Sequence, residues 1–280
     1  MRDISVKTIT EAVKEMCIEA NHFLSADMKC AFDNAVKNEK SELGRQILTQ
    51  LTDNYNIAEK DMIPICQDTG MAVVFIKIGQ EVHLTDGSLE EAINEGVKLG
   101  YTEGFLRKSV VSDPIIRKNT GDNTPAIIHY EIVSGDKVEI TIAPKGFGSE
   151  NMSRVFMLKP ADGIEGVKNA VLTAVKDAGP NACPPMVVGV GIGGTFEKCA
   201  ILAKKALTRE AGKHSDIEWV KELEEELLEK INKTGIGPGG LGGTVTAFAV
   251  NVLTYPTHIA GLPVAVNICC HVNRHVSRTI

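Results

Sequence analysis

The sequence predicts an α/β (or α+β) fold in which helices accompany a mixed β-sheet. Apolar residues recur at helical spacing through about the first sixty residues, and short β-branched runs appear only after them. Later helices and strands mix without strict strand–helix–strand alternation, which favours a mixed sheet over a purely parallel one. Apolar residues make up 43% of the 280 residues and charged residues 24%, so the chain can bury a core.

The N-terminal segment, about residues 1–60, is predicted to be helical. Its first apolar face consists of Ile9, Val13, Met16, Cys17 and Ala20. These positions fall on one side of a helix with 3.6 residues per turn. We therefore expect one region spanning 1–280, with an α/β part over about 61–280.

The first strand is expected at Ala72–Ile78, a short β-branched run after a turn-rich stretch. Ser88 and Glu91 form a capping-box pattern, which predicts a helix running towards Tyr101. Residues 126–133 and 137–143 alternate like two strands separated by three turn residues, and they predict a hairpin.

The second half of the chain is also predicted to contain both helices and strands. A second capping-box pattern, Ser215-x-x-Glu218, predicts the start of a charged helix that ends near Asn232. The other elements expected here are helices over 163–178 and 195–207 and strands over 186–190, 244–253 and 263–269.

Charge and hydropathy exclude several classes of protein. The chain has 30 basic and 36 acidic residues, a net charge of −6, which argues against nonspecific nucleic-acid binding. No apolar run reaches the ~18 residues of a membrane span, and the N-terminus lacks the apolar core of a signal peptide. We therefore expect a cytoplasmic protein whose seven cysteines are thiols or metal ligands.

Two glycine-rich segments suggest close backbone approach. Gly189-x-Gly191-x-x-Gly194 resembles a dinucleotide-binding fingerprint, but the second strand that should end in Asp or Glu about twenty positions later is missing, because residues 207–211 lie in a charged helical zone. A tight strand-to-helix turn explains the three glycines better than nucleotide binding does. The run Gly235–Gly243 holds six glycines in nine residues, which predicts close approach to a cofactor or a partner.

The cysteines fall into two groups by their local sequence. Turn-like, polar surroundings accompany Cys66, Cys183 and Cys270, the last of which follows Cys269 directly. Apolar helical faces, and hence core positions, are predicted for Cys17, Cys30 and Cys199. No C-x-x-C is present, so zinc-ribbon and ferredoxin-type sites are excluded, and the spacing alone leaves a shared metal site open.

Two further polar residues are ambiguous from the sequence alone. Asp68, in Asp-Thr-Gly, is an ordinary turn residue or a carboxylate of an active site, and an aspartic protease would need a second such loop. His258 lies in a loop between two predicted strands, where it is a surface residue or a functional one.

Five segments, taken in order, resemble a known family. They are Pro64-Ile-Cys-Gln-Asp-Thr-Gly70, Asn119-Thr-Gly121, Lys145-Gly-Phe-Gly-Ser-Glu-Asn151, Ala182-Cys-Pro-Pro185 and Gly191-Ile-Gly-Gly-Thr195. Together they are similar to the alpha subunit of the iron–sulfur (class I) fumarate hydratases, of which the L-tartrate dehydratase alpha subunit is a close relative. The resemblance extends from the early helices to Arg274.

The resemblance implies a [4Fe–4S] cluster held by Cys66, Cys183 and one of the Cys269/Cys270 pair. The family's third ligand stands four residues before an arginine, which selects Cys270 ahead of Arg274. The positions implied for the substrate are Gln67, Asp68, Arg107, Gly148 and His258, with Asp68 and His258 in catalytic roles. Phe147 departs from the commonest form of the Lys-Gly-Gly-Gly loop.

The implied activity is that of an oxygen-sensitive hydro-lyase of the tricarboxylic acid cycle, which reversibly hydrates fumarate to (S)-malate. L-Tartrate dehydratase, which forms oxaloacetate, is the alternative within the class; a nucleotide-binding oxidoreductase and a non-catalytic iron–sulfur scaffold are alternatives outside it. The chain ends ten residues after Cys270, so we expect a separate beta subunit and a heterotetramer of two alpha and two beta chains. No nucleic-acid or membrane partner is expected.

Overall fold

A computed structural model describes all 280 residues as eight α-helices and ten β-strands. The helices are α1 Val6–His22, α2 Ala26–Asn38, α3 Glu42–Asp61, α4 Leu89–Glu103, α5 Phe147–Glu150, α6 Gly163–Ala178, α7 Phe196–Ala206 and α8 Glu218–Asn232. The strands are β1 Arg2–Ser5, β2 Met71–Gly79, β3 Val82–Thr85, β4 Ile127–Val133, β5 Val138–Lys145, β6 Arg154–Leu158, β7 Met186–Gly193, β8 Ala247–Tyr255, β9 Leu262–Cys269 and β10 Val276–Thr279. This mixture confirms the predicted α/β class and the helical N-terminal segment.

The chain divides into two compact units, each with its own sheet and hydrophobic core. The first unit contains Met1–Leu24, Tyr55–Phe147 and Arg274–Ile280. The second contains Ser25–Asn54 and Gly148–Asn273. The helical N-terminal segment therefore contributes to both units.

The first unit has a four-stranded sheet in the order β10-β5-β2-β4 and a small parallel pair formed by β1 and β3. Its central strand β2 runs parallel to β4 and antiparallel to β5. Helices α1 and α4 pack together because α4 has glycine at the contact: a Cβ on Gly96 would lie 2.7 Å from the carbonyl oxygen of Thr10. The apolar face of α1 and the buried residues of β2 and β5 share one core.

The second unit has a four-stranded sheet in the order β6-β9-β7-β8. Its central strand β7 is buried at every position, and α7 packs directly against it. A Cβ on Gly189 would lie 2.2 Å from the oxygen of Ala203, and one on Gly191 2.0 Å from the oxygen of Cys199. The first two glycines of the dinucleotide-like motif therefore lie inside a strand and serve helix packing.

The two main sheets share one arrangement of strands. In each, a central strand lies parallel to the next long strand and antiparallel to the one after it. The start of the central strand therefore lies beside the end of its antiparallel neighbour. Met71 pairs with Lys145 in the first unit, and Val187 pairs with Cys269 in the second. We call the sheet end at Met71 and Lys145 the first edge and the sheet end at Val187 and Cys269 the second edge. The loops at these two edges carry most of the candidate site residues.

The predicted hairpin between residues 126–133 and 137–143 is wrong. Both strands form, as β4 and β5, but they pair with opposite edges of β2 and not with each other. The turn between them wraps around the end of β2, where Gly79 N donates to Lys137 O at 2.9 Å and Gln80 N to Val133 O at 2.8 Å. The turn residues correctly predicted a bend between the two strands, but they could not indicate that each strand pairs with β2.

The two capping-box predictions had different outcomes. Ser88 accepts a hydrogen bond from Glu91 N at 3.5 Å and begins α4 as predicted. Ser215 does not cap α8; it accepts from Ile217 N at 3.2 Å, and the helix begins only at Glu218.

Strand β1, which the sequence pattern did not predict, pairs with β3 in parallel. No helix is long and apolar enough to cross a membrane.

Candidate functional site

The seven cysteines differ in accessibility, and no disulfide joins any of them. Buried positions are held by Cys17, Cys199 and Cys269, partly exposed ones by Cys66 and Cys270, and exposed ones by Cys30 and Cys183. The prediction that Cys30 belongs to the core is therefore wrong. Burial raises the pKa of Cys17 to about 12, so that group stays a neutral thiol. No group of three or more His, Cys, Asp or Glu side chains is placed to hold one metal ion.

Asp68 is the most firmly held polar group of the loop before β2. One carboxylate oxygen, Oδ1, accepts from Gly70 N at 3.0 Å, and Oδ2 accepts from Phe147 N at 2.9 Å. A Cβ on Gly146 would lie 2.9 Å from Oδ2, so glycine is needed there for the close approach. The Lys145-Gly-Phe segment and the Cys-Gln-Asp-Thr-Gly segment thus meet at one carboxylate.

Cys66 lies in the same loop with its sulfur facing polar groups. Its Sγ donates to Gln67 Oε1 at 3.3 Å and accepts from Asp68 N at 3.4 Å. The sulfur thus lies between a side-chain acceptor and a backbone donor. The three neighbours therefore place a thiol, an amide and a carboxylate together.

Buried side chains hold the backbone of this loop from below. The Tyr101 hydroxyl is fully buried and lies 2.8 Å from Thr69 O and 3.1 Å from Gly70 O, to which it donates. Burial raises the pKa of Tyr101, so the donor keeps its proton throughout the working pH range. Asn123, also fully buried, donates from Nδ2 to Gly70 O at 3.1 Å. No local sequence pattern marks either residue as a support of this loop.

Arg107 is joined to the loop through its backbone, because Thr69 Oγ1 donates to Arg107 O at 3.1 Å. Its side chain is exposed. The structure therefore brings Cys66, Gln67, Asp68 and Arg107 into one neighbourhood of the first unit.

Arg274, which the sequence marks only by its spacing from Cys270, lies against the loop that carries Asp68. It is only 4% exposed, and its Nη2 donates to Asp68 O. Its Nε and Nη1 are buried and have no hydrogen-bond partner. Unpaired buried donors are costly, and a guanidinium binds carboxylates and other anions well, so this position suits an anionic ligand.

Cys183 and Cys270 lie on two loops that contact each other in the second unit. Cys183 has a left-handed backbone (φ 52°), and its carbonyl accepts from His271 N at 3.2 Å and from the His271 ring Nδ1 at 3.0 Å. Cys269 is the buried last residue of β9, whereas its neighbour Cys270 is partly exposed. Of this pair, Cys270 is therefore the more accessible thiol beside Cys183.

The glycine-rich run Gly235–Gly243 supports the Cys183 loop, since Gly239 N donates to Pro184 O at 2.9 Å. The carboxylate of Glu39, 1% exposed, accepts from Thr244 N at 2.9 Å and from Val245 N at 2.8 Å. Burial opposes ionisation of Glu39, but these N–H groups outweigh it and the pKa of Glu39 lies below its ordinary value. At Gly240 and Gly243 the close approach predicted for the glycines is to groups of this chain, Pro180 and Glu39.

Gly148 offers open space: a Cβ there would come no nearer than 4.0 Å to Asn181 O.

His258 lies in the exposed loop after β8, where its Nδ1 accepts from Ala260 N at 3.1 Å. That loop adjoins the Ile192 end of β7, whereas the two cysteine loops adjoin the Val187 end. Five strand residues separate those ends by about 16 Å. The structure does not bring His258 to Cys183 and Cys270 within one chain.

Comparison with known proteins gives a consistent result. The family model described as fumarate hydratase (Fumerase) matches residues 10–279. A protein of Methanocaldococcus jannaschii named "Putative L(+)-tartrate dehydratase subunit alpha" is 45% identical over 278 residues, covering 97% of each chain. Proteins of Escherichia coli and Shigella sonnei named L(+)-tartrate dehydratase subunit alpha are 31% identical over 273 residues, 96% of this chain and 90% of theirs. With a match across almost its whole length, the chain belongs to the fumarate hydratase (Fumerase) family.

Proposed function

We propose that this chain is the alpha subunit of a [4Fe–4S]-dependent hydro-lyase that reversibly hydrates fumarate to (S)-malate. The observation that carries the proposal is the Asp68 carboxylate, fixed by the N–H groups of Gly70 and Phe147 two residues from the accessible thiol of Cys66. A carboxylate beside a candidate metal ligand is what removal of a proton next to an iron-activated hydroxyl requires.

The proposed cluster ligands are Cys66, Cys183 and Cys270. All three thiols are at least partly exposed, unlike Cys17, Cys199 and Cys269, and Cys66 receives a backbone N–H on its sulfur. The two unpaired donors of Arg274 suit the negative charge that a cluster and its thiolates would bring. When bound, a cluster with three protein thiolates would supply an open iron that acts as a Lewis acid.

In this proposal Asp68 takes up or returns the proton at C3 of the substrate. Its two oxygens each accept one backbone N–H, which fixes the direction of the carboxylate and leaves further lone pairs available. Fixed geometry matters because a catalytic base acts only within hydrogen-bond reach of the proton.

Binding of the two substrate carboxylates is assigned to the other residues of the proposed site. The exposed guanidinium of Arg107 would form a two-pronged contact with one carboxylate, and the Gln67 amide would donate to another oxygen. The open space beside Gly148 would let a substrate approach the backbone closely.

His258 needs a different placement because it lies at the other end of its sheet from the cysteine loops. We propose that it acts on the site of a second alpha chain, within a heterotetramer of two alpha and two beta chains. Mixing the inactive variants Cys183→Ser and His258→Asn should then restore part of the activity, because some mixed assemblies would contain one intact site. Absence of any recovery from assemblies shown to be mixed would contradict this placement.

The separate beta subunit is supported by the relatives, which are named as alpha subunits. We expect it to supply further substrate-binding and proton-transfer groups, so this chain alone should have little or no activity. Exposure of an iron to solvent should also make the enzyme sensitive to oxygen.

L(+)-Tartrate is the second candidate substrate, and the names of the individual relatives favour it. Tartrate differs from malate by one additional hydroxyl, and dehydration would lead to oxaloacetate. An assay of the complete enzyme with malate, fumarate and both tartrate enantiomers separates the candidates. A nucleotide-binding oxidoreductase is disfavoured, because Gly189 and Gly191 are used for packing α7.

The decisive experiment is anaerobic reconstitution of this chain with iron and sulfide, followed by chemical analysis of both. We expect about four of each per chain, and loss of the cluster in Cys66→Ser, Cys183→Ser and Cys270→Ser. Two matched controls should retain it: Cys269→Ser at the neighbouring buried position, and Cys30→Ser at an exposed thiol. If neither the chain alone nor the chain with its beta subunit takes up iron, the proposal is wrong.

A further inference from the structure

The segment 105–119, here called the arm, presents apolar side chains to solvent. Phe105 is 89% exposed, Ile115 86% and Ile116 81%. Two adjacent isoleucines at such exposure cost solvation free energy that a folded chain normally avoids by burying them. The arm belongs entirely to the first unit.

These isoleucines are held outward by an ordered turn. Asp113 Oδ1 accepts from Ile115 N at 2.8 Å and from Ile116 N at 2.7 Å, and these N–H groups lower the pKa of Asp113. Below the turn, Ser112 N donates to Lys118 O at 2.8 Å. The exposed pair is therefore part of a defined shape that a partner can recognise.

The arm is also strongly basic for a chain of net charge −6. It carries four basic residues and one acidic residue. An arm-to-arm contact between two copies of this chain would bring like charges together, which is unfavourable at close range. A partner with acidic groups around an apolar recess complements it better.

The base of the arm is tied to the loop that carries Asp68. Asn123 Oδ1 accepts from Ser109 N at 2.7 Å and from Val110 N at 3.2 Å, while its Nδ2 donates to Gly70 O. Thr69 Oγ1 bonds the carbonyl of Arg107, at the start of the arm. A protein seated on the arm would therefore lie beside the proposed substrate-binding residues.

We propose that the arm is the docking surface for the beta subunit, which would offer it an apolar recess with an acidic rim. This inference rests on the proposed function, because it takes its partner from there. Ile115 and Ile116 supply the buried apolar contact, and Arg117 and Lys118 supply the charge that speeds association.

The test measures the affinity between the purified alpha chain and the beta chain that confers turnover on it, in the absence of substrate. The double variant Ile115→Asp/Ile116→Asp should bind at least about thirtyfold more weakly. Arg117→Glu/Lys118→Glu should associate more slowly, and raising the salt concentration should reduce the difference from wild type. Leu241→Asp, at a position 64% exposed in the second unit, is the control and should bind like wild type.

The possible outcomes distinguish failure of the docking surface from failure of the proposed hydro-lyase function. Equal affinity for wild type and both arm variants overturns the docking surface while leaving the hydro-lyase proposal intact. A change in the oligomeric state of the alpha chain alone, with unchanged beta binding, overturns the choice of partner. If no beta chain confers turnover, both proposals fall. Iron uptake by the isoleucine variant equal to that of wild type shows that the substitution has not unfolded the first unit.

Discussion

The two main sheets arrange their strands identically, yet they hold their cysteine loops in different ways. In the first unit a carboxylate organises the edge: Asp68 accepts from the backbone on both oxygens, and Tyr101 and Asn123 bond the loop from the core. In the second unit backbone N–H groups of neighbouring loops hold the cysteine loop: His271 N donates to Cys183 O and Gly239 N to Pro184 O.

The difference shows what each edge is suited to do. The first edge orients polar side chains, which is what proton transfer and substrate binding need. The second edge leaves two thiols accessible on loops that are fixed through their main chain, which suits metal ligation. Under the proposed function, one strand arrangement would serve two chemical roles, with Cys66 joining the ligands from the first edge, because the loops outside the strands differ.

The strongest test of this comparison removes the charge of Asp68. Asp68→Asn should lower turnover of the complete enzyme by about a thousandfold, since a catalytic base typically contributes about a hundredfold to ten-thousandfold. Iron content should not change, because the Asp68 side chain is not one of the proposed cluster ligands. Asp136→Asn, in the exposed turn before β5, is the control and should retain full turnover. A tenfold loss or less for Asp68→Asn would remove the catalytic role from the first edge.

A second test acts on the carboxylate that supports the second edge. Glu39→Gln should reduce the free energy of unfolding by about 2 kcal/mol near neutral pH, because a buried acceptor of several N–H groups is weakened. Glu42→Gln, at an exposed position on α3, should change it by less than about 0.5 kcal/mol. Chemical denaturation of the chain without iron measures both.

The pH dependence of that effect has a definite sign. The pKa of Glu39 is lower in the folded chain than its ordinary 4.5, so ionisation stabilises the fold above that pH. The stabilisation is lost as the pH falls below 4.5 towards the folded pKa. The difference between wild type and Glu39→Gln should shrink over the same range; a difference that stays constant there would show that the charge has no role.

The smallest effect is expected from Tyr101→Phe, which removes one buried hydroxyl under the first edge. Loss of its hydrogen bond to the loop should cost about 1 kcal/mol of stability and reduce turnover a few-fold. Thermal unfolding and steady-state kinetics check the two parts, with Tyr130→Phe, 48% exposed, as the control. Unchanged turnover would indicate that Asp68 is positioned without the core tyrosine.

The elements predicted best are those with strong local signals. The helix predicted over 163–178 and the strand at Ala72–Ile78 both form within a residue of their expected limits. The predicted hairpin failed because a partner far along the chain decides the outcome. Strands β4 and β5 pair with β2 because it offers two hydrogen-bonding edges, which no turn between them reveals.

The same distinction applies to the candidate site. The resemblance marked Cys66, Gln67 and Asp68 together, and the structure keeps them in one loop. It gave no warning that Arg274 would bond the backbone of Asp68. It also grouped His258 with the cysteines, whereas the strand register places its loop at the other end of the sheet.

The sequence by itself determined the α/β class, the family motifs and the residue types available for chemistry, because propensity, periodicity and motif order are local properties. The tertiary structure decided which of those residues meet. Long-range strand pairing places Lys145 beside Met71 and Cys269 beside Val187, and so brings Phe147 to Asp68 and His271 to Cys183. Burial decided the rest, since Cys30 is exposed and Cys269 is not, a difference set by packing around each thiol and not by its neighbours in the chain.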